Sequence, residues 1–166
     1  MNDLAEGLER RREDYPLITG HGKYVDDVRL APERPAILHM AVLRSPYAHA
    51  RISAIDLEGA RAAASVVAVY SGSDLVSDLP PLEAFVPVKG AKLPRRQVLA
   101  VDSVRYVGDP VAIVLAENRY AASDGRDLIE IDYEPLPVAI DPERACEPDA
   151  PLLYEELGSN VLYQTV

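Results

Sequence analysis

The sequence predicts an α+β domain: a mixed β-sheet of short strands, interrupted by two or three short helices. Three observations carry that expectation. Continuous apolar runs of strand length recur at Ala36–Leu43, within "SVVAVYSG" and at Val111–Ala116, the pattern of strands covered on both faces. Side chains suited to starting helices stand between them, Asp56 before "LEGARAAA" and Asn118 before a stretch running from about Arg119 to Leu128. No GxGxxG joins a strand to a helix, which sets aside a doubly wound dinucleotide-binding fold.

Taken in order, residues 1–35 read as an extended N-terminal arm. Gly20, Gly22, Pro32 and Pro35 are spread among charged residues, a composition that favours turns over regular pairing. Arg10, Arg11 and Arg12 are flanked by Glu9, Glu13 and Asp14, as in a solvated charged arm. The domain proper is expected over 36–150. After Ala36–Leu43, "SPYAHA" interrupts the chain and "RISAID" (Arg51–Asp56) gives a second strand. Asp56 then caps a helix with Glu58 in its first turn, where the helix dipole favours an acid.

A long connection follows "SVVAVYSG". Pro80, Pro81, Pro87 and Pro94 exclude most regular structure from it, and it carries Phe85, the single phenylalanine of the chain. Connections of this length are often functional. Gly108 and Asp109 make a turn, and Pro110 sits at the first position of the strand that runs through Val111–Ala116. In the next helix Ala121, Gly125 and Leu128 fall on one flat face, so Gly125 is expected where helix and sheet approach closely. Beyond it Ile129, Ile131 and Tyr133 alternate with Glu130, Asp132 and Glu134, an amphipathic strand. Asp141-Pro142 opens another short helix, and residues 151–166 read as a tail or linker.

Composition excludes several functions. The 166 residues are 48% apolar with a net charge of −10, enough for one domain with a core but a poor match to nucleic acid or an anionic membrane. No apolar run nears the ~20 residues of a transmembrane segment, and the N-terminus lacks the apolar stretch of a signal peptide. Cys146 is the single cysteine, which rules out an internal disulfide, leaves any iron–sulfur cluster without enough thiolates from this chain, and fits the cytoplasm.

The candidate chemistry is thin. His21, His39 and His49 match no metal-ligand spacing, and His39 reads as a structural histidine inside an apolar strand. Ser45 lies four residues before His49, but no GxSxG elbow supports it and Pro46 follows directly. Glu130, Asp132 and Glu134 share a strand face and could hold a hard cation; the wet side of a sheet is the stronger reading. No glycine-rich loop offers a phosphate cradle. The residues by themselves describe an acidic α+β module with no catalytic, cofactor-binding or metal-binding residue to single out.

Longer motifs say more. "LITGHGKYVDD", "LHMAVLRSPYAHARISAID", "VVAVYSGSDL", "VRYVGDPVAIVLAENRYAASDGRDLIEIDYEPLPVAID" and "DAPLLYEELGSNV" resemble, in order, the start of the large subunit of the molybdenum hydroxylases, the xanthine dehydrogenase, aldehyde oxidase and carbon monoxide dehydrogenase family. The resemblance runs from about Arg11 to Val161 and implies an α/β hammerhead domain. Two departures stand out: Ala64-Ser65 where the family often has Pro-Gly before "VVAVY", and Gly125 where it usually has Ala.

The resemblance also implies a division of labour. The molybdopterin-binding domains and the catalytic glutamate of the family come after the hammerhead, so no catalytic residue carries over onto this chain. Molybdopterin, iron–sulfur clusters and FAD are expected in the complete complex. The expected partners are a molybdopterin-binding domain or subunit, an iron–sulfur subunit and a flavin subunit. The stretch Arg105–Pro137 is then scaffold, with Tyr106 and Asp109 at its turn, and Phe85 in the proline-rich connection, as candidate contacts to the catalytic domains. The rival class is a non-enzymatic adaptor that reuses the fold.

Overall fold

Six strands form two three-stranded sheets, and every pairing among the described residues is antiparallel. The structure is a computed structural model that describes residues 11–27, 37–82 and 88–164. Contacts divide the chain into two units, Met1–Ile37 and Leu38–Val166.

In the first unit, α1 is a single turn at Asp14–Ile18, within the stretch expected to be extended chain and turns. Pro16 is tolerated there because it falls within the first turn, whose N–H groups have no intrahelical partner. A 3-10 turn follows at Val25–Asp27, held by the Tyr24 N–H donating to Asp27 Oδ2 at 3.0 Å.

The second unit runs β1 (His39–Arg44), β2 (Ala50–Asp56), α2 (Glu58–Ala62), β3 (Val66–Ser71), α3 (Gly72–Leu75), β4 (Ser103–Val104), β5 (Pro110–Ala116), α4 (Arg119–Asp127) and β6 (Glu130–Pro135). One sheet has the order β1-β5-β3 and the other β4-β2-β6. The α+β class is as expected; the single mixed sheet is replaced by two antiparallel ones. The reason lies in the helices. α2 carries the chain from β2 in one sheet to β3 in the other, and α4 does the same from β5 to β6. Neither helix is a crossover between neighbours of one sheet, so no parallel pair arises.

Helix starts fall close to where the sequence puts them. Asp56 Oδ1 accepts from the Glu58 N–H at 2.8 Å, and Asn118 Oδ1 accepts from the Ala121 N–H at 2.9 Å. Asp141 Oδ1 takes the Glu143 N–H at 2.9 Å and opens a 3-10 turn, Arg144–Cys146.

The main core lies between the β1-β5-β3 sheet and the elements on its inner side. Val69, Ala112 and Val114 from the sheet meet Leu57 and Ala60 of the α2 segment and Ile129 after α4. A second cluster of Ala50, Val104 and Val111 joins the other sheet to the start of β5. Gly125 sits at the close approach expected of it: a Cβ there would lie 2.9 Å from Val66 Cγ2 and 3.1 Å from Val114 Cγ1. The helix face is rotated from the expected one. Ala122 and Gly125 point inward, while Leu128 is 49% exposed. α4 stops at Asp127 with Leu128 as its C-cap, so Ile129 takes the buried position instead.

β1 also differs from expectation. It is an edge strand, and Met40 is 61% exposed, so this apolar run is not covered on both faces. The tail returns to its own domain. Asn160 Oδ1 accepts from the Leu153 N–H at 3.0 Å, and its Nδ2 donates to the carbonyls of Ala145 and Pro151.

Candidate functional site

The turn between β4 and β5 is built by its own polar groups. Gly108 has φ +94, which glycine adopts without a Cβ penalty. The Asp109 N–H donates to the Tyr106 carbonyl at 3.1 Å, and Asp109 Oδ2 accepts from the Arg105 N–H at 2.9 Å. The turn is clasped to the end of β1. Gly108 N donates to the Ser45 carbonyl at 2.8 Å, Ser45 N to the Asp109 carbonyl at 2.9 Å, and Arg44 Nη1 to the Gly108 carbonyl at 2.9 Å. The Asp109 carboxylate therefore closes the turn, while the Tyr106 ring stays 43% exposed.

Around the turn lies an open recess of about 380 Å3 lined by Arg95, Arg96, Arg105, Tyr106, Asp109 and Tyr154, among others. Arg105 is fixed. Its Nε donates to the Leu153 carbonyl at 2.7 Å, and its guanidinium carbon stands 4.4 Å from the centre of the Tyr154 ring. This is a cation–π geometry, and it ties residue 105 to the tail. Burial pushes the Tyr154 phenol above its ordinary pKa, against the opposing pull of Arg105 and Arg96. Arg96 reaches over Tyr106 more loosely, 5.9 Å from the ring centre, with Nη2 at 3.5 Å from the phenol oxygen. Arg–Tyr surfaces of this kind suit protein contacts, where both residue types are enriched. Phe85, the third candidate contact, lies outside the described residues.

The candidate nucleophile and base have structural duties. Ser45 Oγ donates to the Tyr47 carbonyl at 3.0 Å and accepts from its N–H at 2.9 Å. Burial pushes the Tyr133 phenol above its ordinary pKa, against the opposing pull of the nearby Ser45. His49 is buried, and its Nδ1 donates to the Pro137 carbonyl at 2.8 Å, anchoring the exit of β6. His21 is exposed in the first unit, 3.1 Å from Thr19 Oγ1, and His39 is half-buried in β1. Glu130, Asp132 and Glu134 all face solvent along β6, and Glu134 pairs with Arg51 at 3.7 Å.

Among the described residues, no group of three or more His, Cys, Asp or Glu could hold a metal ion. Cys146 is exposed, 3.3 Å from the Pro142 carbonyl. The arrangement can pack, stack and hydrogen-bond.

The tethers that sequence reasoning missed are Arg105–Tyr154 and the three bonds of Asn160. Their partners stand up to 49 residues apart, with no periodicity to join them.

Comparison with known proteins places this geometry in a family. The sequence profile of the "aldehyde oxidase and xanthine dehydrogenase, a/b hammerhead domain" matches residues 19–137. The carbon monoxide dehydrogenase large chain of Afipia carboxidovorans is 43% identical over 153 residues, which make up 91% of this chain and 18% of that one. The nicotine 6-hydroxylase large subunit of Paenarthrobacter nicotinovorans is 37% identical over 151 residues, again 91% and 18%. Quinoline 2-oxidoreductase from Pseudomonas putida 86 superposes with a TM-score of 0.83 at 39% identity, over 93% of this chain and 19% of that one. The chain thus spans less than a fifth of the length of these relatives. No helix among the described residues is long and apolar enough to cross a membrane.

Proposed function

Since this chain belongs to the aldehyde oxidase and xanthine dehydrogenase a/b hammerhead domain family, we propose that it acts as the scaffold domain of the large subunit of a molybdenum-containing hydroxylase. The complete enzyme would oxidise carbon monoxide, an aldehyde or an N-heterocycle, with water as the oxygen source. The observation that carries this reading is the match to relatives described as large chains or subunits, each over less than a fifth of its length. In that assembly a molybdopterin-binding domain or subunit supplies the oxidative chemistry, and iron–sulfur and flavin proteins remove the electrons. This chain's own residues bring a two-sheet body and a polar recess. Tyr106 is the exposed contact offered there, and Asp109 holds its turn in shape. Phe85 is a third proposed contact. The expected compartment is the cytoplasm, where a lone thiol stays reduced.

The test is purification of the native protein, with metal analysis and a dye-reduction assay using carbon monoxide, aldehydes and purines. The expected result is a larger polypeptide and molybdenum in the same preparation, with activity that residues 1–166 do not show by themselves. Isolation with neither, bound instead to an unrelated protein, would favour an adaptor. Stoichiometric molybdenum on residues 1–166 alone would overturn the scaffold role.

A further inference from the structure

We infer, resting on that reading, that the outer face of the β1-β5-β3 sheet seats the polypeptide corresponding to the remaining four-fifths of the relatives' large chains. The register defines the face. Met40, Leu115 and Ala68 form one row across the three strands, and Val42, Ile113 and Tyr70 form the next. All six are apolar or aromatic. The residues between them, Ala41, Leu43, Val69, Ala112 and Val114, point the other way, toward the core that α2 and α4 cover.

An antiparallel sheet with one wet face ordinarily carries polar residues on it. Here the outer face carries no charged or amide side chain in these two rows, and all six residues keep some exposure to solvent. Met40 is 61% and Tyr70 36% exposed, and even Ile113 and Leu115 of the central strand are only partly covered. Val111–Ala116 has the composition of a strand buried on both sides; along its outer side Val111 packs against the other sheet, whereas Ile113 and Leu115 have no full cover among the described residues. Three strands about 4.8 Å apart and some six residues long present roughly 300 Å2. That is the size of the dry centre of an intrachain domain interface, which spans about 600–1,500 Å2 with its polar rim.

The occupant follows from length and charge. In the relatives, this stretch is 17–19% of the large chain, so most of the polypeptide lies elsewhere and is available to cover the face. A second copy of this chain is the poorer occupant. Each copy carries a net charge of −10, and the six residues of the face carry no charge to offset the repulsion.

Oxidative footprinting of the native assembly tests this directly, because Met40 is one of only two methionines. In residues 1–166 alone Met40 should oxidise readily; in the assembly its rate should fall roughly tenfold or more as the thioether becomes inaccessible. Equal oxidation in both overturns the inference and leaves the proposed function standing. The second arm replaces Met40 and Tyr70 together with Lys, both exposed enough for the isolated domain to keep its fold. The double variant should retain at most about a tenth of the copurifying large polypeptide, since the charges would be desolvated on docking. An Asp132→Lys variant on the other sheet should retain it all. Full retention by the double variant overturns the inference. A wild-type preparation with no such polypeptide overturns both it and the proposed function, and association with a second copy alone replaces the occupant.

Discussion

The two sheets have the same number of strands and the same antiparallel pairing, but they meet water in opposite ways. In β4-β2-β6, strand β6 sets Ile131 and Tyr133 inward and exposes Glu130, Asp132 and Glu134, with Arg51 of β2 opposite Glu134. Its outer face is finished as a solvent surface. In β1-β5-β3, the central strand has no polar side chain at all, and the outer face repeats the chemistry of the inner one. The difference teaches that sheet size and pairing do not decide what a face is for. The side-chain set on its outer rows does. The interior of the β1-β5-β3 sheet should tolerate little change, and the charged face of its counterpart should tolerate almost any.

The strongest test of that contrast is at Gly72, where β3 gives way to α3. A Cβ there would be driven into the backbone carbonyl of Ala100, and 3.1 Å from the Leu99 carbonyl oxygen. Backbone cannot swing aside as a side chain can. Gly72→Ala should therefore destabilise by about 3 kcal/mol or more, at the upper end of overpacking costs. Urea unfolding would measure it. A change below about 1 kcal/mol would mean that the 99–100 segment yields, and that the packing around β3 is looser than drawn. Next in size is Gly125→Leu. The new side chain would meet Val66 and Val114 between α4 and the sheet, and the loss should be roughly 1–3 kcal/mol. A higher melting temperature would show that α4 is free to lift from the sheet.

Much of this was legible in advance, for definite reasons. Strand β6 could be read from strict alternation, and the closeness of Gly125 from a flat helix face. The α4 face lies one position from the one the sequence predicts, because Leu128 has the type of a core residue. Only the helix ending at Asp127 hands its place to Ile129. The apolar run in β1 predicts a strand buried on both sides, but composition cannot distinguish a covered strand from an edge strand. At the recess, the turn at Gly108–Asp109 was plain in the sequence. The clasp of Arg105 on Tyr154 was not, since a contact across 49 positions leaves no local pattern.

A smaller effect, and one with a pH signature, belongs to Asp74 in α3. Its carboxylate accepts from the Ser71 N–H at 2.7 Å and from the Ser71 hydroxyl at 2.8 Å, which holds its pKa below the ordinary 3.8. A lowered folded-state pKa stabilises above the unfolded value and is lost as pH falls through the folded one. Asp74→Ala should cost about 1 kcal/mol at neutral pH, discounted because the carboxylate is over a third exposed. The gap to wild type should close below about pH 4. A gap that stays constant down to pH 3 in urea titrations would show that ionisation plays no part.

Ser65 offers a gain instead of a loss. It stands just before β3 with φ +63, in the left-handed region. A serine there is held in a conformation that costs roughly 1–2 kcal/mol relative to glycine. Glycine's greater freedom in the unfolded chain returns part of that. Ser65→Gly should raise stability by roughly 0.5 kcal/mol. A loss of stability would mean that the strain at the entry to β3 is carried elsewhere.

The smallest effect expected is at Glu134, and it bears most directly on the charged face. Arg51 and Glu134 face one another across β2 and β6 with 3.7 Å between Nη1 and Oε2, and both side chains are more than 60% exposed. A pair so hydrated gains little from its own attraction, since water screens it and two long side chains must be ordered. Glu134→Gln should change stability by less than about 0.5 kcal/mol, and the remaining difference should vanish in about 0.5 M salt. The same face carries Glu130 directly opposite Asp56, a like-charge pair that solvent must already be shielding. If Glu134→Gln instead cost more than about 1 kcal/mol at every salt concentration, the charges along β6 would be holding the sheet together rather than finishing a wet surface. The contrast between the two outer faces would then have to be redrawn as two kinds of contact face, one apolar and one ionic.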